Sequence, residues 1–380
     1  MERRLGSYPD SPRAGGGPLL IVVGGLHGNE PAGVHAARRV LRELEQRSLP
    51  LRGQLVALAG NVAALAQRER FRDRDLNRLW TDEEVARARS GSSSDAEAHE
   101  QAQLLRELDL LLAQEWEKVV LLDLHSTSAE GSPFSIMADT LQNRVVGFAL
   151  PAPVLLGLEE RIDGTLVSYF SERGHTALCL EGGQNESPAT VDHHEAAIWI
   201  TLASAGLLAR SEVPDLADRR ALLAQACAGR PCVVEVRHRE AVPPGAEFRM
   251  RPGFENFQTI EQGDVLASLT RSGVERVVAT PIGGLLLMPR YQGKGDDAFF
   301  VGRRVRRSWL RVSSVLRHLR LERLLPALPG ISRDRTQPRR LFVDPDIARW
   351  YVLEILHLFG YRRAATEGDR LEFLRRVDAL

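Results

Sequence analysis

Three short apolar runs, Leu20 to Gly25, Val119 to Leu124 and Ala177 to Leu180, constrain this chain more than any other feature. Apart from Asp123 they carry no polar positions, so as strands they need cover on both faces, the environment of a parallel sheet between helices. Each is followed within two residues by a side chain able to hold a metal or move a proton: His27, His125 and Glu181. In open α/β sheets the ligand crevice lies beyond the carboxyl ends of the strands, so these scattered residues are expected to converge there.

The sequence between the runs fits that architecture. Glu30 to Leu44 has apolar residues at helical spacing, Gln54 to Ala59 reads as a further strand, and Ala96 to Trp116 and Thr190 to Leu208 read as helices. The expected fold is α/β, a mainly parallel mixed sheet covered by helices, over residues 18–229. From about Arg230 the texture changes. Cys232 to Val236, Phe248 to Arg251, Asp264 to Leu269, Arg276 to Thr280 and Leu285 to Met288 are short extended runs between Gly and Pro. They predict a smaller β-barrel or sandwich-like domain at 230–310. Ile347 to Phe359 and Arg370 to Val377 have helical patterns, predicting a helical appendage at 311–380, and residues 1–17 read as a flexible leader.

Composition narrows the choice of partner. The 380 residues contain 50 basic and 50 acidic side chains, so no net charge draws the chain to nucleic acid or an anionic membrane. A small molecule is the expected partner. Cys179, Cys227 and Cys232 are odd in number and lack a C-x-x-C spacing, which predicts buried, reduced thiols rather than a disulfide framework. The absence of an apolar signal segment before Gly17 places the expected site of action in the cytoplasm.

His27, Glu30 and His125 have the chemistry of a catalytic zinc site: two ligands three residues apart, a third distant in sequence, and a fourth position left for water. A single histidine is more often structural than a ligand; two at strand ends, with Glu30 in step, favour the metal. His193 and His194 lack that context and read as surface or core residues. Glu181 reads either as a proton-transfer group or as a surface glutamate. Gly24 Gly25 and Gly182 Gly183 lack the spacing of a phosphate-binding loop.

His27 Gly28 Asn29 Glu30, Asp75 Leu76 Asn77 Arg78, Asp123 Leu124 His125 Ser126 Thr127 and Glu181, in that order, resemble the motifs of the succinylglutamate desuccinylase and aspartoacylase family, a branch of the zinc carboxypeptidase superfamily. The resemblance covers roughly residues 18–300. It implies one Zn2+ per chain on His27, Glu30 and His125, with Glu181 as general base and acid. It further implies Arg70 at the oxyanion, Asn77 and Arg78 on a substrate carboxylate, Tyr291 as a substrate contact, and Asp75 as hydrogen-bond acceptor of a zinc-bound histidine. For Arg70, flanked by Arg68, Arg72 and Arg74, a solvated basic stretch is the alternative. Asp123, two residues before His125 and on the same side if the strand continues, reads either as a support for that histidine or as a cap on the strand, and the structural role is favoured.

The expected function is zinc-dependent hydrolysis of the amide bond of an N-acyl amino acid or similar small carboxylate. A metallocarboxypeptidase acting on peptide C-termini and a noncatalytic metal-binding interaction module are the alternatives.

Overall fold

The computed structural model describes residues 1–11, 16–344, 346–347, 352–367 and 370–378. The first half runs β1 (Arg4–Tyr8), β2 (Pro18–Gly24), α1 (Ala32–Arg47), β3 (Gln54–Ala59), α2 (Val62–Gln67), α3 (Asp82–Ser90), α4 (Ala96–Leu112), β4 (Lys118–Thr127), β5 (Phe134–Ile136), α5 (Leu141–Gly147), β6 (Val154–Leu156), α6 (Leu166–Glu172), β7 (Thr176–Gln184), α7 (Pro188–Ser204) and α8 (Leu216–Ala226). There follow β8 (Val233–Ala241), β9 (Glu247–Met250), β10 (Thr259–Ile260), β11 (Val265–Arg271), β12 (Val274–Ala279), β13 (Gly284–Leu287), β14 (Asp297–Arg304), α9 (Arg307–His318), β15 (Ile331–Arg333), β16 (Arg340–Val343), α10 (Val352–Leu358), β17 (Tyr361–Glu367) and β18 (Arg370–Arg375).

One 11-stranded sheet, in the order β1-β3-β2-β4-β7-β5-β6-β8-β14-β13-β10, forms the frame. Its centre, β3-β2-β4-β7, is parallel. Alternate side chains of β2 enter two separate cores. Leu20 and Val22 pack with Val40 and Leu44 of α1 and with Ile198, Trp199 and Leu202 of α7. Leu19, Ile21 and Val23 pack with Leu104 and Leu108 of α4 and Phe170 of α6. Both faces are therefore dry, which is why these strands read as unbroken apolar runs. From β2 the chain crosses by α1 to β3 on one side, then through α4 to β4 on the other. This reversal opens a crevice at the carboxyl ends of β2 and β4.

Three segments differ from the sequence expectations. In the expected leader, Arg4–Tyr8 is a strand paired antiparallel with β3; of the glycines at 15–17, Gly15 lies outside the described residues. The change of texture at Arg230 does not begin a separate sheet. β8 pairs in parallel with β6 and carries β14, β13 and β10 into the main sheet, while β9, β11 and β12 form a sheet of their own. The tail contains α9 and α10, but also a four-stranded antiparallel sheet, β15-β16-β18-β17. Arg370–Arg375, expected as helix, is a strand hydrogen-bonded on both edges. Those ladders outcompete a helix too short to be stable alone. Of the helix expected at Ile347 to Phe359, Val352–Leu358 is helical and residues 348–351 lie outside the described residues.

Arg317 of α9, fully buried, fastens the tail to the body through the Asp139 carboxylate at 2.8 Å and its carbonyl at 2.6 Å, and ties α9 to α10 through the carbonyls of Leu358 and His357. Cys179 and Cys227 are buried free thiols; Cys232, expected alike, is exposed. Among the described residues no helix is long and apolar enough to cross a membrane.

Candidate metal centre and active-site cleft

The loop after β2 turns sharply enough to present His27 and Glu30 together. Gly28 makes that turn possible: a Cβ there would stand 2.1 Å from the Ala64 carbonyl carbon and 2.4 Å from the Glu69 oxygen. His27 Nδ1 lies 2.9 Å from Glu30 Oε1, and His125 Nδ1, at the end of β4, lies 3.0 Å from Glu30 Oε2. All three side chains are buried, and their ligand atoms lie within 4.8 Å of one another.

The outward nitrogens are held as firmly as the inward ones. His27 Nε2 lies 3.0 Å from Asp75 Oδ1, and His125 Nε2 lies 3.0 Å from Asp123 Oδ2. Each imidazole thus lies between two carboxylates, Nδ1 toward Glu30 and Nε2 toward Asp75 or Asp123, and with a metal on Nδ1 the Nε2 N–H would donate to its outer carboxylate. A divalent metal where the two Nδ1 atoms and the Glu30 oxygens converge would take both imidazole lone pairs and the carboxylate together, so the donor set fits it. Paired carboxylate, imidazole and metal is the usual way such ligands are oriented. Burial opposes ionisation of Glu30, but the two imidazoles outweigh it and hold its carboxyl well below the usual range. Asp75 is likewise held low against its burial, by His27 and then Arg70. Asp123, read from sequence as structural, contacts the candidate ligand directly: residues two apart on a strand share a side, and β4 continues through Thr127.

Glu181 stands opposite His125 in the parallel register of β4 and β7. Burial pushes its carboxyl up to about 7, opposed by His125 and reinforced by Glu30, and its Oε2 is buried with no hydrogen-bond partner. Arg70 donates to Glu30 Oε1 at 3.0 Å and Asp75 Oδ2 at 3.3 Å, so it is committed to the centre rather than solvated.

These residues line one cleft with Asn77, Arg78, Cys179, Met288, Arg290 and Asp297. Asn77 and Arg78 reach its wall, but with internal partners. Asn77 Oδ1 accepts from the Leu166 N–H, and Arg78 donates to Asp297 at 2.6 Å. Tyr291 stands outside the cleft lining. Its hydroxyl donates to the Arg251 carbonyl at 2.9 Å and accepts from the Phe254 N–H, a tie within the β region. Sequence reasoning missed Arg290 and Asp297, whose only local signal is charge in a glycine-containing loop. It read His193 and His194 as surface or core. Both are buried, and they hold the backbone carbonyls of Gly182 and His125 at 2.7 and 2.8 Å.

Fold and site define an α/β protein whose buried His–Glu–His set lies at the carboxyl edge of a mixed sheet. Residues 16–198 match the family model described as the succinylglutamate desuccinylase/aspartoacylase catalytic domain, which assigns that part of the chain to the family. Among curated relatives, the succinylglutamate desuccinylase of Burkholderia lata is 39% identical over 62 residues, 16% of this chain and 18% of that protein. The Pseudomonas fluorescens desuccinylase is 33% identical over 113 residues, 30% of this chain and 32% of that protein. The alignments thus span less than a third of the length of either relative. Among solved structures, the product-bound ectoine utilization protein EutE from Ruegeria pomeroyi shares the fold with a TM-score of 0.54 at 19% identity, over 76% of this chain and 86% of that one. A Rhodobacter sphaeroides succinylglutamate desuccinylase/aspartoacylase does so with 0.53 at 19% identity, over 77% and 87%.

Proposed function

We propose that the protein is a zinc-dependent hydrolase that cuts the amide bond of an N-acyl amino acid or similar small carboxylate. The observation that carries this reading is Glu181, which shares the cleft with the His27–Glu30–His125 set and keeps one buried carboxylate oxygen without a partner. Zinc held by those three residues would supply a Lewis acid and a bound water acidic near neutrality.

The remaining steps belong to the chain. Glu181 accepts the proton released as the nucleophile attacks the carbonyl carbon, then delivers it to the departing amine nitrogen. A carboxyl that titrates near 7 suits both directions of transfer. Arg70 adds positive charge beside the carbonyl oxygen on which negative charge builds up. Asp75 and Asp123 hold the two imidazoles in the orientation their task requires. The loop from Met288 to Asp297 crosses the cleft, tied by Asn29 to Gln292 at 2.8 Å and by the Tyr291 N–H to Ser128 at 3.0 Å. This cover supports a small substrate over a peptide C-terminus.

The test is turnover by zinc-loaded protein on N-acetyl and N-succinyl amino acids against short peptides. Release of the amino acid by wild type and not by Glu181→Gln is expected. Faster peptide cleavage would make the protein a carboxypeptidase, and no hydrolysis of either would leave a noncatalytic module.

A further inference from the structure

Three guanidiniums line the cleft, and they are not equivalent. Arg70 is paired with Glu30 and Asp75, and Arg78 with Asp297. Arg290 makes no ion pair among the described residues, although it is only 7% exposed. Its Nη1 donates to the Gly295 carbonyl, its guanidinium lies over the Phe248 ring at 4.8 Å, and its Nε is buried with no partner. Burial first, and the neighbouring charge of Arg70 second, make this cation costly, with Asp296 and Asp297 offsetting only part. A buried cation without an anion is among the more expensive features a protein keeps.

Gly295 shows where an anion would fit. The point a Cβ would occupy on this residue lies 3.5 Å from Arg290 Cδ, 3.7 Å from Arg290 Nη1 and 3.7 Å from Arg70 Nε, and Arg70 Nε is also buried without a partner. Having no side chain, Gly295 leaves that space open between two guanidiniums. It opens onto the same cleft as the metal ligands.

We propose that the niche between Arg290 and Arg70 over Gly295 binds a carboxylate of the substrate other than the group being cleaved, and that Arg290 selects substrates carrying it. This deepens the function proposed above and rests on it for the word substrate. Arg78, the arginine on which the carboxylate role was expected, is already neutralised by Asp297, so selectivity moves to the arginine left unpaired. Guanidinium suits the task because its planar fork meets a carboxylate with two parallel bonds.

The experiment measures binding, not turnover. Succinate and butyrate, equal in length but carrying two carboxylates and one, are titrated by calorimetry into zinc-loaded wild type, Arg290→Gln and Arg290→Lys. Wild type is expected to prefer succinate by about ten-fold, the worth of one charge-assisted hydrogen-bond pair. Arg290→Gln should lose the preference, and Arg290→Lys should keep only part of it, having the charge without the fork. Equal affinity of wild type for the two acids overturns the proposal without any variant, and so does a preference that survives in Arg290→Gln. A succinate preference without hydrolysis of any N-acyl amino acid would leave the niche standing and the proposed activity lost. Hydrolysis without the preference would remove the niche alone.

Discussion

Replacing His357 tests whether the tail is held to the body by charge. This histidine of α10 bridges two carboxylates of the body, with Nε2 3.0 Å from Glu160 Oε1 and Nδ1 3.1 Å from Glu235 Oε1. Burial disfavours its charge, yet the two hydrogen bonds outweigh burial and raise it to about 9. A group whose folded pKa lies above its unfolded one contributes stability that is complete below the unfolded value. That stability is lost as pH rises through the folded value. The displacement from 6.5 to about 9, at about 1.4 kcal/mol per pH unit, corresponds to about 3 kcal/mol. The side chain is 20% exposed, so solvent screening removes little of it. Glu235, held down to about 2 against its burial by the same imidazole, reports the same contact from the other side and is not added. Urea unfolding of wild type and His357→Gln at pH 6.5 and 9.5 measures the effect. The variant should be less stable by about 3 kcal/mol at pH 6.5 and nearly equal to wild type at pH 9.5. Lost packing alone would give the same deficit at both, and that result would refute the electrostatic argument.

Glu181→Gln should retain zinc by atomic absorption while turnover falls about 10²- to 10⁴-fold, the usual worth of a general acid–base group; a smaller loss would remove it from proton transfer. Asp123→Asn should weaken zinc binding about 10- to 100-fold in a chelator competition, because the His125 tautomer is no longer fixed, and unchanged affinity would return Asp123 to a purely structural role. Gly28→Ala should cost about 3 kcal/mol or leave no folded protein, since its Cβ meets backbone rather than a side chain that can move; an unchanged urea midpoint would contradict the packing described.

The central sheet was legible in the sequence because its strands are buried on both faces. Leu19 to Val23 serve two cores in alternation, so no polar residue interrupts them. Convergence of His27, Glu30 and His125 followed from the position of strand ends in such sheets. What escaped were pairings between distant segments. Arg78 meets Asp297 across 219 positions, and nothing near either residue announces the other. The same applies to Arg370–Arg375, whose strand character comes from partners at Arg340–Val343 and Tyr361–Glu367 rather than from its own pattern. Asp123 was half visible: its two-residue spacing from His125 put both on one side, but only continuation of β4 to Thr127 turned that spacing into a contact.

Chemistry and selectivity lie on different elements of one frame. The candidate ligands come from β4 and the loop between β2 and α1, where the adjoining sheet is parallel and buried and movement would cost two cores at once. Arg290 and Gly295 come from the segment joining β13 to β14, and Asp297 from the first position of β14, which reach the cleft from the far part of the same 11-stranded sheet. Because β14 pairs with β8, and β8 with β6, that segment is set against the metal centre by continuous backbone hydrogen bonding rather than by a hinge. The loop itself is exposed at Tyr291 and carries few core residues, so its sequence is free to change without disturbing the strands that hold it. On the proposed reading, a rigid sheet with a replaceable loop would let one reaction centre serve different carboxylates, the distance between niche and metal setting which length of substrate fits both.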